Sequence, residues 1–347
     1  MENRKYGRGG VLVPEISVLM SVYNGEAFLR DAIDSVLRQT FRDFELIVVN
    51  DGSTDATQRI LDEYTDPRIR TFTFEENQGV GAALHFGLNQ TVGKYIAKAD
   101  ADDIHAPERL YKQKKYLDEH ADIDLVKAFI RYFPHDRAVE GTARFKNYKS
   151  FREDFKNGVT SSEDLCEKIY WTCCIPHTTI MARSESMKRI QYDPLLRVGE
   201  DYKLFYEMNK SGYRMGTLEE VLVDMRVSND STTVRMDSVF WETIYRIKKR
   251  EIDSLFESGE KVYLWGAGAK GAAVAREILP RELEIQGFID SDPTKKNSLL
   301  DGYRIFDPEV LNPNDKVLIT SQPGLYAIGE ELKKRGFKPL KDFIGFY

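Results

Sequence analysis

Apolar residues along this chain follow two rhythms that alternate. Ile16-Ser17-Val18-Leu19-Met20 is a short run fit for a strand buried on both faces, and Phe28, Leu29, Ala32, Ile33, Val36 and Leu37 then recur at helical spacing. Glu45-Leu46-Ile47-Val48-Val49 predicts a second buried strand, with a helix after it over roughly 55–64. A third strand at about 69–74 leads to a helix from about 80 to 91, and Lys94-Tyr95-Ile96-Ala97 predicts a fourth strand. Such alternation implies a parallel sheet with helices on both faces. Beyond it, Pro107 to His120 reads as a helix and Asp124 to Ile130 as a strand. Leu204, Phe205 and Met208 mark a further helix, and Val234 to Gly259 a connecting one. On that last helix Phe240, Ile244 and Ile247 share a face, which leaves Lys248-Lys249-Arg250 as its wet side, or alternatively a basic contact with a membrane surface.

The pattern restarts near residue 260. Lys261 to Trp265 predicts a strand, Gly266-Ala267-Gly268-Ala269-Lys270-Gly271 a turn, and an Ala-rich helix follows to about Leu279. Ile285 to Ile289 is a second strand ending in Asp290; Lys316 to Thr320 and a helix near Leu325–Arg335 complete the set. Gly266, Gly268 and Gly271 sit in the strand–turn–helix setting of a G-x-G-x-x-G loop, with the acidic Asp290 about 20 positions on. This is one nucleotide-binding half, and a structural or assembly role is its alternative. The expected divisions are a loose tail over 1–14, a first domain over 15–232, a connecting helix over 233–259 and a Rossmann-like α/β domain over 260–347.

Length and composition narrow the class. The 347 residues suffice for two cores, and 41% hydrophobic with 31% charged residues is ordinary for a globular protein. A formal net charge of −6 offers no general attraction for nucleic acid. Three Cys with no metal-ligand spacing point to free thiols in a reducing compartment, and no apolar run has the length of a membrane span. The expected location is cytoplasmic, with peripheral contact at the cytoplasmic face of a membrane and homo-oligomerisation through the C-terminal domain as open alternatives.

Polar residues cluster where the predicted strands end. Ser21, Tyr23 and Asn24 follow the first strand, Asp51 the second, and Lys98, Asp100, Asp102 and Asp103 the fourth. Ligands of open α/β sheets bind beyond the carboxyl ends of strands, so one edge gathers all three clusters. Each is also a plausible turn. Asp100 and Asp102, two apart in extended backbone, aim their carboxylates alike and repel unless a cation lies between them; Mg²⁺ or Mn²⁺ suits such oxygen ligands. A solvated acidic loop is the plainer reading. Glu200-Asp201 opens a helix, where negative charge complements the dipole, so capping competes with chemistry there.

Taken together, Ile16 to Asn24, Val48-Val49-Asn50-Asp51-Gly52-Ser53-Thr54-Asp55, Asn77-Gln78-Gly79 and Gly93 to Asp103 resemble the family 2 glycosyltransferases over roughly residues 14–232. The resemblance implies a GT-A nucleotide-diphospho-sugar transferase fold and an inverting transfer. The donor would be a nucleotide-diphosphate sugar, a UDP-sugar first. The acceptor would be a saccharide or lipid-linked hydroxyl, in cell-surface polysaccharide synthesis. It implies Asp51 as acceptor for a pyrimidine N–H, and Ser21, Tyr23 and Asn24 as neighbours of the base. Lys98, Asp100, His177 and Arg226 join the donor side, and Asp100 and Asp102 hold Mn²⁺ or Mg²⁺, with Asp102 the direct ligand. Asp201 becomes the general base with Glu200 beside it. Ser228 stands where relatives often carry a His near the diphosphate, which puts a third protein ligand to the metal in doubt. Arg144 to Lys168 reads as an insertion over the acceptor side. A sugar-nucleotide-binding or nucleotidyltransferase-like protein is the rival, but Ser21–Gly25 has neither Lys nor Arg for a phosphate loop. The second domain supplies no residue that this chemistry requires, so transfer should survive without it.

Overall fold

The computed structural model describes residues 13–228, 237–280 and 283–347. The expected tail lies almost wholly outside these residues, as do Asn229 to Ser231 and the start of the expected connecting helix at Val234. The chain divides into two compact units. One holds the described residues to Ile169 and from Cys174 to 228; the other holds Tyr170–Cys173 and the described residues from 237 onward. The helix Asp237–Glu257 therefore belongs to the second unit.

In the first unit, β1 (Ile16–Val22), β2 (Phe44–Asn50), β3 (Ile69–Thr73) and β4 (Tyr95–Lys98) form the parallel half of an eight-stranded sheet. The helices Leu29–Leu37, Thr57–Asp62 and Val80–Gln90 alternate with them. β1 and β2 are buried almost throughout, because helices cover both faces, which is why their sequences read as unbroken apolar runs.

Beyond β4 the sheet is mixed. β5 (Ile104–His105), β6 (Leu125–Pro134), β7 (Met181–Arg183) and β8 (Met215–Val227) complete the order β3-β2-β1-β4-β7-β6-β8-β5. β7 runs antiparallel to both β4 and β6, and β5 antiparallel to β8, while β6 and β8 are parallel. A three-residue strand such as β7 has too few positions to show a period, so only its pairing reveals it. The expected helix at Pro107 starts at Arg109, and the stretch from Arg137 to Lys168 is a series of short helices.

The second unit carries a six-stranded sheet of order β11-β12-β10-β9-β13-β14, built from β9 (Val262–Trp265), β10 (Gly287–Ile289), β11 (Leu299–Leu300), β12 (Tyr303–Phe306), β13 (Lys316–Ile319) and β14 (Phe343–Gly345). All its pairings are parallel except β11 with β12. Its core gathers Trp265, Ile289, Val317, Ile319, Leu325, Leu332 and Phe343 together with Trp171, which arrives from residues 170–173.

One expectation about the long helix is overturned. Lys249 and Arg250 are exposed, but Lys248 has 0% exposure. Its ammonium donates to the carbonyls of Trp171 (2.9 Å), Gly345 (2.7 Å) and Tyr347 (2.7 Å). Three N–H groups meeting three carbonyls is a full complement for a lysine, so burial is tolerated. Replacing the side chain with an apolar one leaves three carbonyls without a donor. Lys248→Met should therefore lower stability by roughly 2–4 kcal/mol. The check is chemical denaturation followed by tryptophan fluorescence, since Trp171, Trp241 and Trp265 all lie in this unit; an unchanged midpoint refutes the role.

Candidate active site

The carboxyl edge of the parallel strands carries two sets of loops. The loop after β1 is tied to the loop after β2 by exchanged hydrogen bonds. Backbone N–H groups of Asn24, Gly25 and Glu26 donate to Ser53 Oγ (2.9 Å), Thr57 Oγ1 (2.8 Å) and Asp55 Oδ2 (3.0 Å). In return Asn24 Oδ1 accepts from Thr54 N–H (2.8 Å) and Glu26 Oε2 from Ala56 N–H (2.9 Å). Asn24 sits at φ +51°, a region that asparagine tolerates. It thus shapes this edge through the loop. Tyr23 is half exposed beyond it and Ser21 partly buried on β1.

Asp51, 2% exposed, accepts from Gln78 N–H (2.8 Å) on one oxygen and Gly79 N–H (2.9 Å) on the other. Its carboxylate therefore holds the Asn77-Gln78-Gly79 loop, a role that the sequence alone does not disclose.

The second set surrounds the end of β4. Lys98 is buried, and its ammonium donates to the Ala99 carbonyl (2.7 Å) and to Asp100. It lies behind Asp100, where it orients that carboxylate. Asp100 N–H donates to Thr178 Oγ1 (3.3 Å), in the turn His177–Thr179. Asp103, also buried, accepts from Arg226 N–H (2.9 Å). Arg226 Nε donates to the Asp102 carbonyl (3.0 Å), and its guanidinium packs over the rings of Phe28 and Phe133 at 4.4 and 4.6 Å. The acidic loop is thus held through the Asp100 N–H, the Asp102 carbonyl and the Asp103 carboxylate.

Electrostatically the three carboxyls differ. Burial opposes ionisation of Asp100, but the Lys98 ammonium beside it outweighs this and holds its carboxyl below the usual range. Asp102 is pushed up to about 6 by burial and by the charge on Asp100. Asp103 rises well above the ordinary value, from burial and then the charges of Asp102 and Asp100. Such crowded carboxyls favour a cation, and hard oxygen donors suit Mg²⁺ or Mn²⁺. Among the described residues no three His, Cys, Asp or Glu side chains form a metal cage. Asp100 and Asp102 therefore fit a divalent ion whose remaining ligands are water and substrate phosphate, which is the usual manner of Mg²⁺.

Glu200 and Asp201 open the helix Glu200–Lys210 after Gly199, whose φ of +76° suits glycine and turns the chain. Asp201 Oδ1 accepts from the adjacent Tyr202 N–H (2.7 Å). Glu200 is buried, with His177 Nδ1 at 3.9 Å, beyond hydrogen-bonding reach. Burial and the neighbouring Asp201 push its carboxyl up to about 8, and Asp100 adds to the effect. His177 contacts Tyr192 hydroxyl at 2.7 Å through Nε2, and burial with the nearby Lys98 lowers it to about 4, so the ring is neutral at pH 7. The two acidic groups therefore share one electrostatic neighbourhood around Lys98 and His177.

Sequence reasoning missed the residues beneath. Arg109 is fully buried and donates to the carbonyls of Lys98 (2.7 Å) and Ile180 (3.0 Å) and to Gln113 Oε1 (2.9 Å). Its Nη1 meets His105 Nδ1 at 2.7 Å. Since arginine only donates, the His105 proton lies on Nε2, which is buried without a hydrogen-bond partner. Thr178 and Tyr192 carried no signal beyond their place near His177.

In the second unit the glycine pattern answers to packing. A Cβ on Gly266, at φ +136°, would meet Ser321 N at 2.7 Å, and one on Gly271 would meet Gly266 O at 2.0 Å; Gly268 faces open space. Asp290 accepts from Ala267 N–H (3.2 Å), Asp292 N–H (2.9 Å) and Lys295 Nζ (2.7 Å), so its charge is matched internally.

Comparison with known proteins identifies the first unit. The model of glycosyl transferase family 2 matches residues 17–186, and a model described as C2185-like, N-terminal, matches residues 258–340. An uncharacterised glycosyltransferase of Methanocaldococcus jannaschii is 30% identical over 247 residues, spanning 70% of this chain and 78% of the relative. Among solved structures, residues 1–349 of TarS from S. aureus in complex with UDP-GlcNAc align with a TM-score of 0.52 at 20% identity, over 70% of this chain and 66% of that one. The mannosyltransferase PcManGT from Pyrobaculum calidifontis, in complex with GDP-Man and Mn²⁺, aligns with a TM-score of 0.54 at 17% identity, over 73% and 68%.

The Glu200 environment has a consequence for stability. A carboxyl whose folded value is about 8, against an ordinary 4.5, holds its proton more tightly in the folded protein. Its contribution therefore turns unfavourable as pH rises from about 4.5 through 8. Glu200→Gln removes that titration while keeping the shape. The variant should gain melting temperature relative to the parent at pH 8 and much less at pH 5. Equal differences at both values would remove the buried, proton-holding carboxyl.

Proposed function

This chain belongs to glycosyl transferase family 2 and has the GT-A fold, and we propose that it catalyses inverting, divalent-metal-dependent transfer of a sugar from a UDP-sugar to a saccharide or lipid-linked hydroxyl. The observation that carries the mechanism is the buried Glu200 carboxyl beside Asp201. With its carboxyl pushed up to about 8, Glu200 keeps a proton at neutral pH and cannot accept another. The base therefore falls to Asp201. As the acceptor oxygen bonds to the anomeric carbon, its proton passes to the Asp201 carboxylate and the bond from carbon to the diphosphate oxygen breaks. Attack from the face opposite the diphosphate inverts the centre. A Mn²⁺ or Mg²⁺ held by Asp100 and Asp102 would supply Lewis-acid stabilisation of the departing diphosphate. Lys98 keeps Asp100 ionised and oriented for that duty, while Arg226 fixes the Asp102 backbone and Asp51 shapes the wall for the base. The acceptor class, and a place in cell-surface polysaccharide synthesis, rest on family kinship alone.

The nucleotidyltransferase reading is disfavoured by the loop after β1. The N–H groups of Asn24, Gly25 and Glu26, which a phosphate cradle would use, are already bonded to Ser53, Thr57 and Asp55.

Release of nucleotide diphosphate from a panel of nucleotide sugars with Mn²⁺ tests the activity. Asp201→Asn should leave donor affinity and melting temperature near the parent and slow transfer by about 10²-fold or more, the usual scale for a lost general base. Transfer within a few-fold of the parent would move the base elsewhere. Asp102→Ala should remove the Mn²⁺-dependent part of UDP binding with the fold retained, read by calorimetry with and without chelator; identical affinities would end the metal assignment.

A further inference from the structure

β4 and β7 separate at the place where the site opens. Their antiparallel ladder pairs Tyr95 with Arg183, Ile96 with Ala182 and Ala97 with Met181. One step further, Lys98 N–H still donates to the Ile180 carbonyl (3.0 Å). In a continuing ladder the Ile180 N–H would return a bond to the Lys98 carbonyl. It turns instead to the His177 carbonyl (3.3 Å), inside the turn His177–Thr179. Two residues on, the Asp100 N–H meets a side chain, Thr178 Oγ1, at 3.3 Å. From that fork one branch becomes the acidic loop and the other is the turn that carries His177.

A fork in a buried sheet leaves carbonyls without ladder donors, at a cost comparable to a lost hydrogen bond. Two side chains of the helix Arg109–Glu119 supply those donors. Arg109 Nη2 donates to the Lys98 carbonyl (2.7 Å), in place of the Ile180 N–H, and to the Ile180 carbonyl (3.0 Å). Gln113 Nε2 donates to the Thr179 carbonyl (2.6 Å). The guanidinium is aimed by its other bonds, Nε to Gln113 Oε1 (2.9 Å) and Nη1 to His105 Nδ1 (2.7 Å). Arg109 and Gln113 are both fully enclosed, and a rigid planar guanidinium holds its acceptors at a fixed separation. We propose that Arg109 is a positioning residue: together with Gln113 it fills the fork and sets the separation of the Asp100 branch from the His177 branch. The groups that face the departing diphosphate are thereby placed against those around the base. The whole arrangement lies within the first unit, and the proposal rests on the transferase reading for its kinetic arm only.

The test uses the full chain. Arg109→Met fills much of the same space without donors and should lower kcat by about 10²-fold, the scale of a small misplacement of catalytic groups. The KM for the UDP-sugar should change less than about threefold, because the Asp51 wall follows β2, with β1 between it and β4. Arg109→Lys keeps a donor but loses the planar fork, and should recover part of the rate. Deuterium uptake at residues 177–180 should rise in Arg109→Met and stay at the parent level in β2. Leu117→Ala removes a buried apolar side chain from the same helix. It should cost stability, yet in protein kept below its melting transition leave kcat within about threefold of the parent and uptake at 177–180 unchanged. Should Arg109→Met fail to fold, Gln113→Leu, which removes the Thr179 donor, should raise uptake at 177–180 and lower kcat by about tenfold. Near-parental kcat in folded Arg109→Met, an equal loss in Leu117→Ala, or parental uptake at 177–180 in the Arg109 or Gln113 variant would overturn the proposal. Uptake is read without substrate, so a parent that releases no nucleotide diphosphate would refute the transferase reading while the exchange still decides whether these side chains hold the fork.

Discussion

Arg109 is the constraint on which the site depends. An unpaired guanidinium in the interior would be costly, and burial lowers this one to about 9 although the charges of Asp100 and Asp103 oppose the shift; its hydrogen bonds go to neutral acceptors. It is accommodated by four neutral acceptors drawn from three places: the end of β4, the residue after the His177 turn, and its own helix with His105. Gln113 extends the network to the carbonyls of Thr179 (2.6 Å) and Val126 (3.3 Å). The strand that delivers the acidic loop and the turn that carries His177 are thus one piece. Moving either one strands a buried donor, so their relative placement is fixed by the same penalty that makes the burial unfavourable.

Above that network the balance of charge reverses. Lys98 and Arg109 lie beneath the loop, while Asp100, Asp102, Asp103, Glu200 and Asp201 lie around it. The cations are satisfied by hydrogen bonds to carbonyls and to Asp100. The carboxyls are not matched in number, and they respond by spreading their ionisation: Asp100 is held down, Asp102 sits near 6, and Glu200 near 8. A site poised in this way gains by admitting positive charge beside Asp102 and a proton acceptor role at Asp201. It has no comparable use for a second anion without a cation to accompany it.

What the sequence disclosed follows from range. Strands buried on both faces are continuous apolar runs, so β1, β2 and β9 were legible, and the polar residues after them fell where α/β geometry puts ligands. β5, β7 and β14 are two or three residues long and exist through their partners. β6 was legible in part, as the run Asp124 to Ile130, but its antiparallel pairing with β7 was not, because pairing depends on a partner far along the chain. Buried cations are hidden from the pattern too. Lys248 opens the run Lys248-Lys249-Arg250, and more than half of the residues in the Arg109 helix are charged, so the pattern assigns both to solvent. Only their acceptors, dozens of residues away, show otherwise. Asp51 was legible as a ligand-edge carboxylate, and its grip on Gln78 and Gly79 was not, because that grip requires knowing where a loop 27 residues later returns.

Completeness of hydrogen bonding separates the two kinds of buried charge in this protein. Lys248 has its three donors matched to carbonyls and Arg109 reaches four acceptors, and the regions around them are structural in the strict sense: they hold chain segments together. Glu200 is held off ionisation by burial and by Asp201, and His105 leaves an N–H unmet. Burying a polar group unsatisfied destabilises the fold, so a protein that retains such groups retains them against stability. That both feel the charge of Asp100 is the physical reason to look for the chemistry at the edge of the first sheet.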